Sequence, residues 1–423
     1  MNAQKRTVVA WSLYDFANSS FSTIVLTFVY GAYFMKVIAE NETVGSGQWM
    51  WAVTLSAIVV ALLSPLLGAI ADRRGLRKRF LLISAVCCIT ATIGLYFPLP
   101  GQVLPALILF AVANTAIELG NVFYNAFLPD ISTDENIGRI SGWAWGLGYV
   151  GGILCTILAM VALVDTDDPW FGFTKEAGQN IRATNLLVAA WFTVFCIPLF
   201  LYVKETRSPR SEPSLGPYRA LLASFHDIRR HPQVTRFLIA RLVYNDGLVA
   251  IFSFAGLYAV GTFGFTFKEI MVFGIVMNLA AGIGAFVMGS VDDRFGAKLT
   301  IYITLAAFLV GTIGAATAEN RMIFWISSIT ISLFAGPNQS ASRSLMGRFV
   351  PKAKVNEFYG FFSFSGKATA FIGSLMIAEL TLAFSQRVGV ASLFLLFVVG
   401  GVLMTRVNEK VGIAEAREGA EIG

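Results

Sequence analysis

Five ionisable side chains sit inside stretches that are otherwise apolar enough to cross a membrane: Asp15, Glu118, Arg241, Asp246 and Lys367. A charge at a bilayer centre costs roughly 2.5 to 3.5 kcal/mol on insertion scales, so such groups face a protein interior or a water path, where they meet a solute, a proton or one another. Asp15 has Asn18 and Ser22 at i+3 and i+7, with Tyr14 and Phe21 beside them, a polar stripe that a lipid-facing helix should not have. Glu118 shares a face with Asn114, Asn121 and Asn125. A desolvated carboxylate there can carry a proton, and the Lys367 amine can attract a carboxylate.

Arg241 and Asp246 stand five residues apart, which sets them about 140° apart around an ideal helix and makes them poor mutual partners. Arg241 is expected to meet an acid from another span, with Asp15 the nearest candidate by symmetry. In "GPNQSASRS", Gln339 and Arg343 share a face, and Gly336-Pro337 is expected to break or bend the helix. Arg343 is close enough to the span's end to snorkel instead. Each of these charges has a plain alternative as a structural ion pair or an interfacial group, and both readings stay open.

The elements that must position these groups are helices of membrane-crossing length. The chain of 423 residues is 56% hydrophobic and 14% charged, where an ordinary soluble domain carries about 25% charged residues. Twelve apolar runs are read, at about 9–38, 48–71, 80–98, 103–129, 139–164, 183–203, 236–262, 269–291, 298–317, 321–349, 356–384 and 388–406, each near the roughly 20 residues that span a bilayer. The first, extending roughly 45 Å, exceeds the hydrocarbon core of about 30 Å, so Asp15 lies near one end rather than at the centre. It is too long for a signal-peptide core and is read as retained. Cys87, Cys88, Cys155 and Cys196 all fall inside spans and read as packing residues, with no disulfide framework or zinc site.

Most of the 32 Lys and Arg lie in the tails and in loops after even-numbered spans, while Lys36, Lys175, Arg182, Lys268, Arg321 and Arg387 lie on the other side. The positive-inside rule then puts both termini in the cytoplasm, in a bacterial-type inner membrane. The net charge of +6 is a topology signal, and no nucleic-acid partner is expected. Residues 204–234 form a cytoplasmic linker between six-span bundles at 1–203 and 235–407, with a tail at 408–423. In the linker, Leu221, Leu222, Phe225 and Ile228 oppose Arg219, Arg229 and Arg230, which suits a short helix on the membrane surface. His226 and His231 read as surface residues.

The halves repeat. "GAIADRRGLRKR" after the second span answers "GSVDDRFGAK" after the eighth, and Gly68, Asp72, Arg73 and Gly75 align with Gly289, Asp293, Arg294 and Gly296 at a constant offset of 221. Weaker echoes pair Leu13-Tyr14-Asp15 with Val243-Tyr244-Asn245, Pro129 with Pro351, and Gly142 with Gly360. Two six-helix repeats place a solute site at their interface near the midplane. In the loop, carboxylate and guanidinium groups on a Gly-permitted turn can pair with neighbouring helix ends in one state and release them in another. A topology anchor is the plainer alternative. Gly138, Gly142 and Gly146 make a small-residue stripe that admits close helix approach.

These residues resemble the major facilitator superfamily, whose loop signature is matched by Gly68, Asp72, Arg73, Gly75, Arg77 and Lys78, with Leu76 where a basic residue is usual. "WSLYDFANSSF", "YNAFLPDIS", "SGWAWGLGYVGG", "YNDG", "NQSASRSL" and "EFYGFFSFSGKAT" are similar to the branch containing the autophagy-linked vacuolar amino-acid effluxers and their bacterial relatives. The resemblance implies an all-α membrane fold of two six-helix bundles, with Asp72 and Asp293 as pairing acids of a gate that also holds Arg73, Gly75, Arg77 and Arg294. It further implies an amino-acid-like solute.

No phosphate-cradling loop and only two histidines argue against ATP drive, metal chemistry or Ser-His catalysis, so no cofactor, metal or catalytic residue is expected. The expectation is a monomeric, proton-coupled secondary transporter, exporting a small solute along a path flanked by Asp15, Asn18, Glu118, Asn121, Arg241, Asp246, Gln339 and Lys367. Movement of a lipid or amphiphile, or a receptor or scaffold that has lost transport, are the alternatives.

Overall fold

The computed structural model describes residues 3–205, 225–226 and 228–421, without the side chains of residues 267, 268 and 419–421. Arg219, Leu221 and Leu222 of the expected surface helix lie outside the described residues. The described chain is helical: α1 (Ala3–Ile38), α2 (Glu42–Arg74), α3 (Arg77–Gly94), α4 (Val103–Asn125), α5 (Ile137–Ala159), α6 (Gln179–Tyr202), α7 (Pro232–Phe263), α8 (Phe267–Phe295), α9 (Ala297–Thr317), α10 (Arg321–Phe349), α11 in two pieces (Val355–Lys367 and Ile372–Ala383), α12 (Gln386–Thr405) and α13 (Glu409–Glu421). Ten of these are long and apolar enough to span a membrane. α3, which starts Arg77-Lys78-Arg79, and α10, which carries the polar run Asn338 to Ser344, complete the twelve-helix fold.

Local chemistry sets the helix ends. Thr266 and Glu269 form a reciprocal capping box at the start of α8, and Asn320 and Ser385 accept from the first turns of α10 and α12. Gly75 turns the chain after α2 at φ +60°, a conformation that a Cβ would disfavour. α1 is not uniform: Phe21–Phe28 and Phe34–Ile38 are π-helical, a widening that is rare and frequent at functional sites.

Contacts divide the chain into two compact units. One holds Met1–Leu63, Leu76–Tyr124 and Leu147–Thr206; the other holds Ser64–Gly75, Asn125–Gly146 and Arg207–Gly423. In the first, Trp11 and Tyr14 stack on Tyr124 at 4.6 and 4.7 Å, and Trp49 stacks on Phe110 at 3.9 Å. In the second, Phe273, Phe324, Tyr258 and Phe265 form an aromatic core. Between helices in lipid, such packing, rather than expulsion of water, supplies the cohesion.

Two helices depart from expectation. Gly336-Pro337 does not break α10, which runs unbroken from Arg321 to Phe349. Proline lacks the N–H that would bond Leu333 O, and that carbonyl instead faces Gly284 of α8, where any Cβ would overlap it. α11, read as one run at 356–384, is interrupted after Lys367 and resumes at Ile372.

Candidate functional site

The loop acids end up on helix N-termini. Asp72, buried at 6% exposure, accepts from Asn356 N at 3.1 Å, Asn356 Nδ2 at 2.6 Å and Glu357 N at 2.8 Å, all in the first turn of α11. Its repeat partner Asp293 accepts from Gly138 N at 2.7 Å and Arg139 N at 3.2 Å, in the first turn of α5. An anion at a helix N-terminus satisfies otherwise orphaned N–H groups and opposes the positive end of the dipole.

The glycines make this approach possible. A Cβ on Gly68 would strike the carbonyl of Asn356, and one on Gly289 would come within 2.9 Å of the Gly138 carbonyl. Gly142 lies against the Ala285 carbonyl, and Gly360 against that of Ser64. Gly289 against Gly68 and Ala285 against Ser64 keep the offset of 221, whereas Gly360 against Gly142 and Asn356 against Gly138 are offset by 218. The same latch is thus built twice, each time joining a loop of one repeat to a helix of the other. Arg73 and Arg294 are not part of it: Arg73 is half-buried outside the cluster, and Arg294 is exposed over the Phe295 ring. Arg77 is buried at the start of α3.

Around the second latch lies a buried ion pair. Asp292 is buried and paired with Arg348 at 2.5 Å and with Ser344. Arg348 also lies 3.7 Å from Asp293 and 3.9 Å from Glu409. Arg343 is buried rather than snorkelling: its guanidinium donates to Ser141 Oγ at 2.9 Å, Ser141 O at 2.7 Å and Asn125 Oδ1 at 3.2 Å.

Two further acids were not singled out in the sequence. Glu205, just beyond α6, accepts from Lys78 N at 3.3 Å at the start of α3, and Glu409 accepts from Ala297 N and Lys298 N, both at 3.0 Å, at the start of α9. Lys78 Nζ bonds Val203 O at 2.7 Å, and Lys298 Nζ bonds Val407 O at 2.5 Å. The available signal was a third repeat echo, Val203-Lys204-Glu205 against Val407-Asn408-Glu409.

The polar groups of α7 converge on α11. Arg241 donates to Phe362 O at 2.7 Å and Ser365 Oγ at 2.8 Å and lies 3.7 Å over the Phe362 ring. These contacts replace the expected partnership with Asp15. Asn245 donates to Gly366 O at 3.3 Å and accepts from Gln339 Nε2 at 2.9 Å. Thr369 Oγ1 donates to Leu242 O at 3.2 Å, and Asp246 accepts from Gly373 N at 2.9 Å. Four positions of α7 therefore brace the interruption of α11. Lys367, half-buried, ends its first piece.

Within the first unit, Asn18 and Asn121 meet at 2.7 Å, joining α1 to α4. Trp11 Nε1 donates to Tyr124 O at 3.0 Å, so the aromatic part of "WSLYDF" is a packing surface for α4. Asp15 and Glu118 are half-buried. A methyl on Gly148 would lie 3.5 Å from the Asp15 Cβ, the first-half counterpart of the Asn245 and Gly366 contact.

Comparison with known proteins agrees with this architecture. The family described as "Vacuole effluxer Atg22 like" matches residues 46–417. The chain is 27% identical over 407 residues to YxiO of Bacillus subtilis (strain 168), an uncharacterised transporter of MFS type, covering 95% of this chain and 94% of that one. It is 21% identical over 453 residues to autophagy-related protein 22 of Coccidioides immitis (strain RS), covering 88% and 74%. Among solved structures, the proton:xylose symporter XylE superposes with a TM-score of 0.76 at 14% identity over 98% of both chains. The transporter FucP in its outward conformation superposes with a TM-score of 0.77 at 12% identity over 96% of this chain and 99% of its own. At these identities the likeness establishes the fold.

Proposed function

We propose, from the premise that this chain belongs to the Atg22-like family of major facilitator superfamily transporters, that it exports a small amino-acid-like solute by alternating access, driven by protons. Family and fold are those of transporters, not enzymes. The observation that carries the mechanism is the twofold latch. Asp72 and Asp293 each accept from backbone N–H groups at a helix N-terminus, with the Asn356 amide added at the first and the Arg139 and Arg348 guanidiniums, both at 3.7 Å, at the second, and such contacts can let go without breaking a helix. Gly75 supports the turn that aims Asp72, and Arg73 and Arg294 stand outside the latch.

The path is assigned to Asp15, Asn18, Glu118 and Asn121 in the first unit and to Arg241, Asp246, Gln339 and Lys367 in the second. Export is supported by the effluxer description of the family; the amino-acid-like solute is what the sequence resemblance implies. A plasma-membrane location with both termini cytoplasmic is supported by the bacterial relative and by the placement of Lys and Arg.

The test is uptake of a labelled amino-acid panel into sealed proteoliposomes, with and without an imposed pH gradient, for the parent, Asp15→Asn and Glu118→Gln. Gradient-dependent flux that loses its dependence in one variant supports the reading and locates a coupling acid. No flux for any amino acid removes the solute assignment.

A further inference from the structure

We propose that Asp246 is a proton-binding carboxylate whose charge sets how tightly the two pieces of α11 are tied to α7, a site that rests on the proton-coupled reading and deepens it. Its side chain belongs to a residue only 2% exposed. One carboxylate oxygen accepts the N–H of Gly373, in the first turn of the second piece of α11, and the other oxygen has no hydrogen-bond donor. A carboxylate removed from water needs a cation, a full set of donors, or a proton.

No cation serves it among the described residues. Arg241, on the same helix, is bound to Phe362 O and Ser365 Oγ. Tyr244 shares its hydroxyl with Ser342 at 2.8 Å. On the helices packed around it, α11 offers Lys367 at the end of its first piece and an exposed Glu379, α12 offers Arg387, which donates to Ala316 O, and α10 offers Arg343, bound to Ser141. None of these forms an ion pair with Asp246. A proton needs no room.

The step is an acid–base equilibrium with nothing else consumed: the unpartnered oxygen takes a proton from water and gives it back. Ionised, Asp246 holds the Gly373 N–H by a charge-assisted bond at a helix N-terminus, where an anion is favoured. Neutral, it holds the same N–H through an ordinary bond of about half the strength. The other ties to α7, Arg241 on Phe362 O, Asn245 on Gly366 O and Thr369 Oγ1 on Leu242 O, all lie before the second piece starts at Ile372. Protonation therefore weakens the tie of the second piece to α7 while leaving those of the first piece unchanged.

The experiment uses the full chain in lipid nanodiscs. Infrared difference spectra across acidic and neutral pH should show a protonated-carboxyl band that disappears in Asp246→Asn and survives in Asp15→Asn and Glu118→Gln. Hydrogen exchange of the amides at 373–375, corrected for intrinsic pH dependence, should be about tenfold faster at the acidic end in the parent. A band that persists in Asp246→Asn overturns the site. Should that variant not fold, parent exchange at 373–375 that ignores pH overturns it equally. Protection that follows sodium at fixed pH replaces the proton with an alkali cation and also overturns it. Parent flux that ignores the pH gradient, with the band and exchange behaving as expected, removes coupled transport but leaves the proton site standing.

Discussion

Replacing Asp72 by Asn tests the latch with almost no change of shape. The carboxylate receives three donors, two backbone N–H groups and the Asn356 amide, at 2.6 to 3.1 Å. An asparagine can present one oxygen to them, but its amide must then face the Glu357 N–H or the Asn356 side chain, donor against donor. A hydrogen bond to a charged group contributes about 1.5 to 3 kcal/mol, and the charge at the helix N-terminus adds about 0.3 to 1 kcal/mol. Loss of one such bond and of the charge, about 1.8 to 4 kcal/mol, shifts the latched equilibrium roughly 20- to 900-fold toward release.

Spin labels at the exposed positions Arg74 and Lys352, in a background without the four native cysteines, report it as a distance distribution. The parent should show one short population, and Asp72→Asn a new longer one. Arg73→Gln should behave as the parent, since Arg73 lies outside the cluster. An unchanged distribution in a folded Asp72→Asn protein would refute the reasoning, because the latch would then hold without its anion.

Other outcomes follow from the same geometry. Glu409→Gln removes an anion from two backbone N–H groups of α9, at a cost of about 1 to 2 kcal/mol. It should lower thermal unfolding in detergent more than Glu205→Gln, which loses one longer bond. Gly284→Ala should abolish folded expression, as its methyl would overlap Leu333 O, whereas Gly47→Ala, with nothing within 4 Å, should stay within about 0.5 kcal/mol of the parent. Arg343→Lys cannot reproduce the fork that engages Ser141 and Asn125; a distance label pair on α5 and α10 should show their contact loosened, with the Asp72 latch unaffected.

The spans, the repeat and the latch acids were legible because each is written in one stretch of chain. Hydropathy sums over twenty residues, and the Gly-x-x-x-Asp spacing survives in both loops. What the acids bind was not legible, since Asn356 and Glu357 lie far along the chain and contribute backbone N–H groups that any residue would offer. The interruption of α11 was hidden for a related reason. "GKATAF" holds no proline, and its backbone is satisfied partly by local turns and partly by Asn245 on Gly366 O and Asp246 on Gly373 N, groups contributed by another helix. Arg343 was ambiguous because an arginine near a span's end looks alike whether it reaches lipid headgroups or a serine carbonyl inside the protein.

The twofold latch also says something about ancestry. A single six-helix repeat carries both an acid and the kind of helix terminus that acid binds, but the backbone N–H groups each acid accepts belong to the other copy. Such a surface is self-complementary, as in the interface of a two-fold homodimer. A half-length ancestor could therefore have closed both latches at once simply by pairing with itself. Fusion of two copies would then have freed the second acid loop to diverge, adding Asp292 and Arg348 where the first repeat still has the plain alanine at position 71.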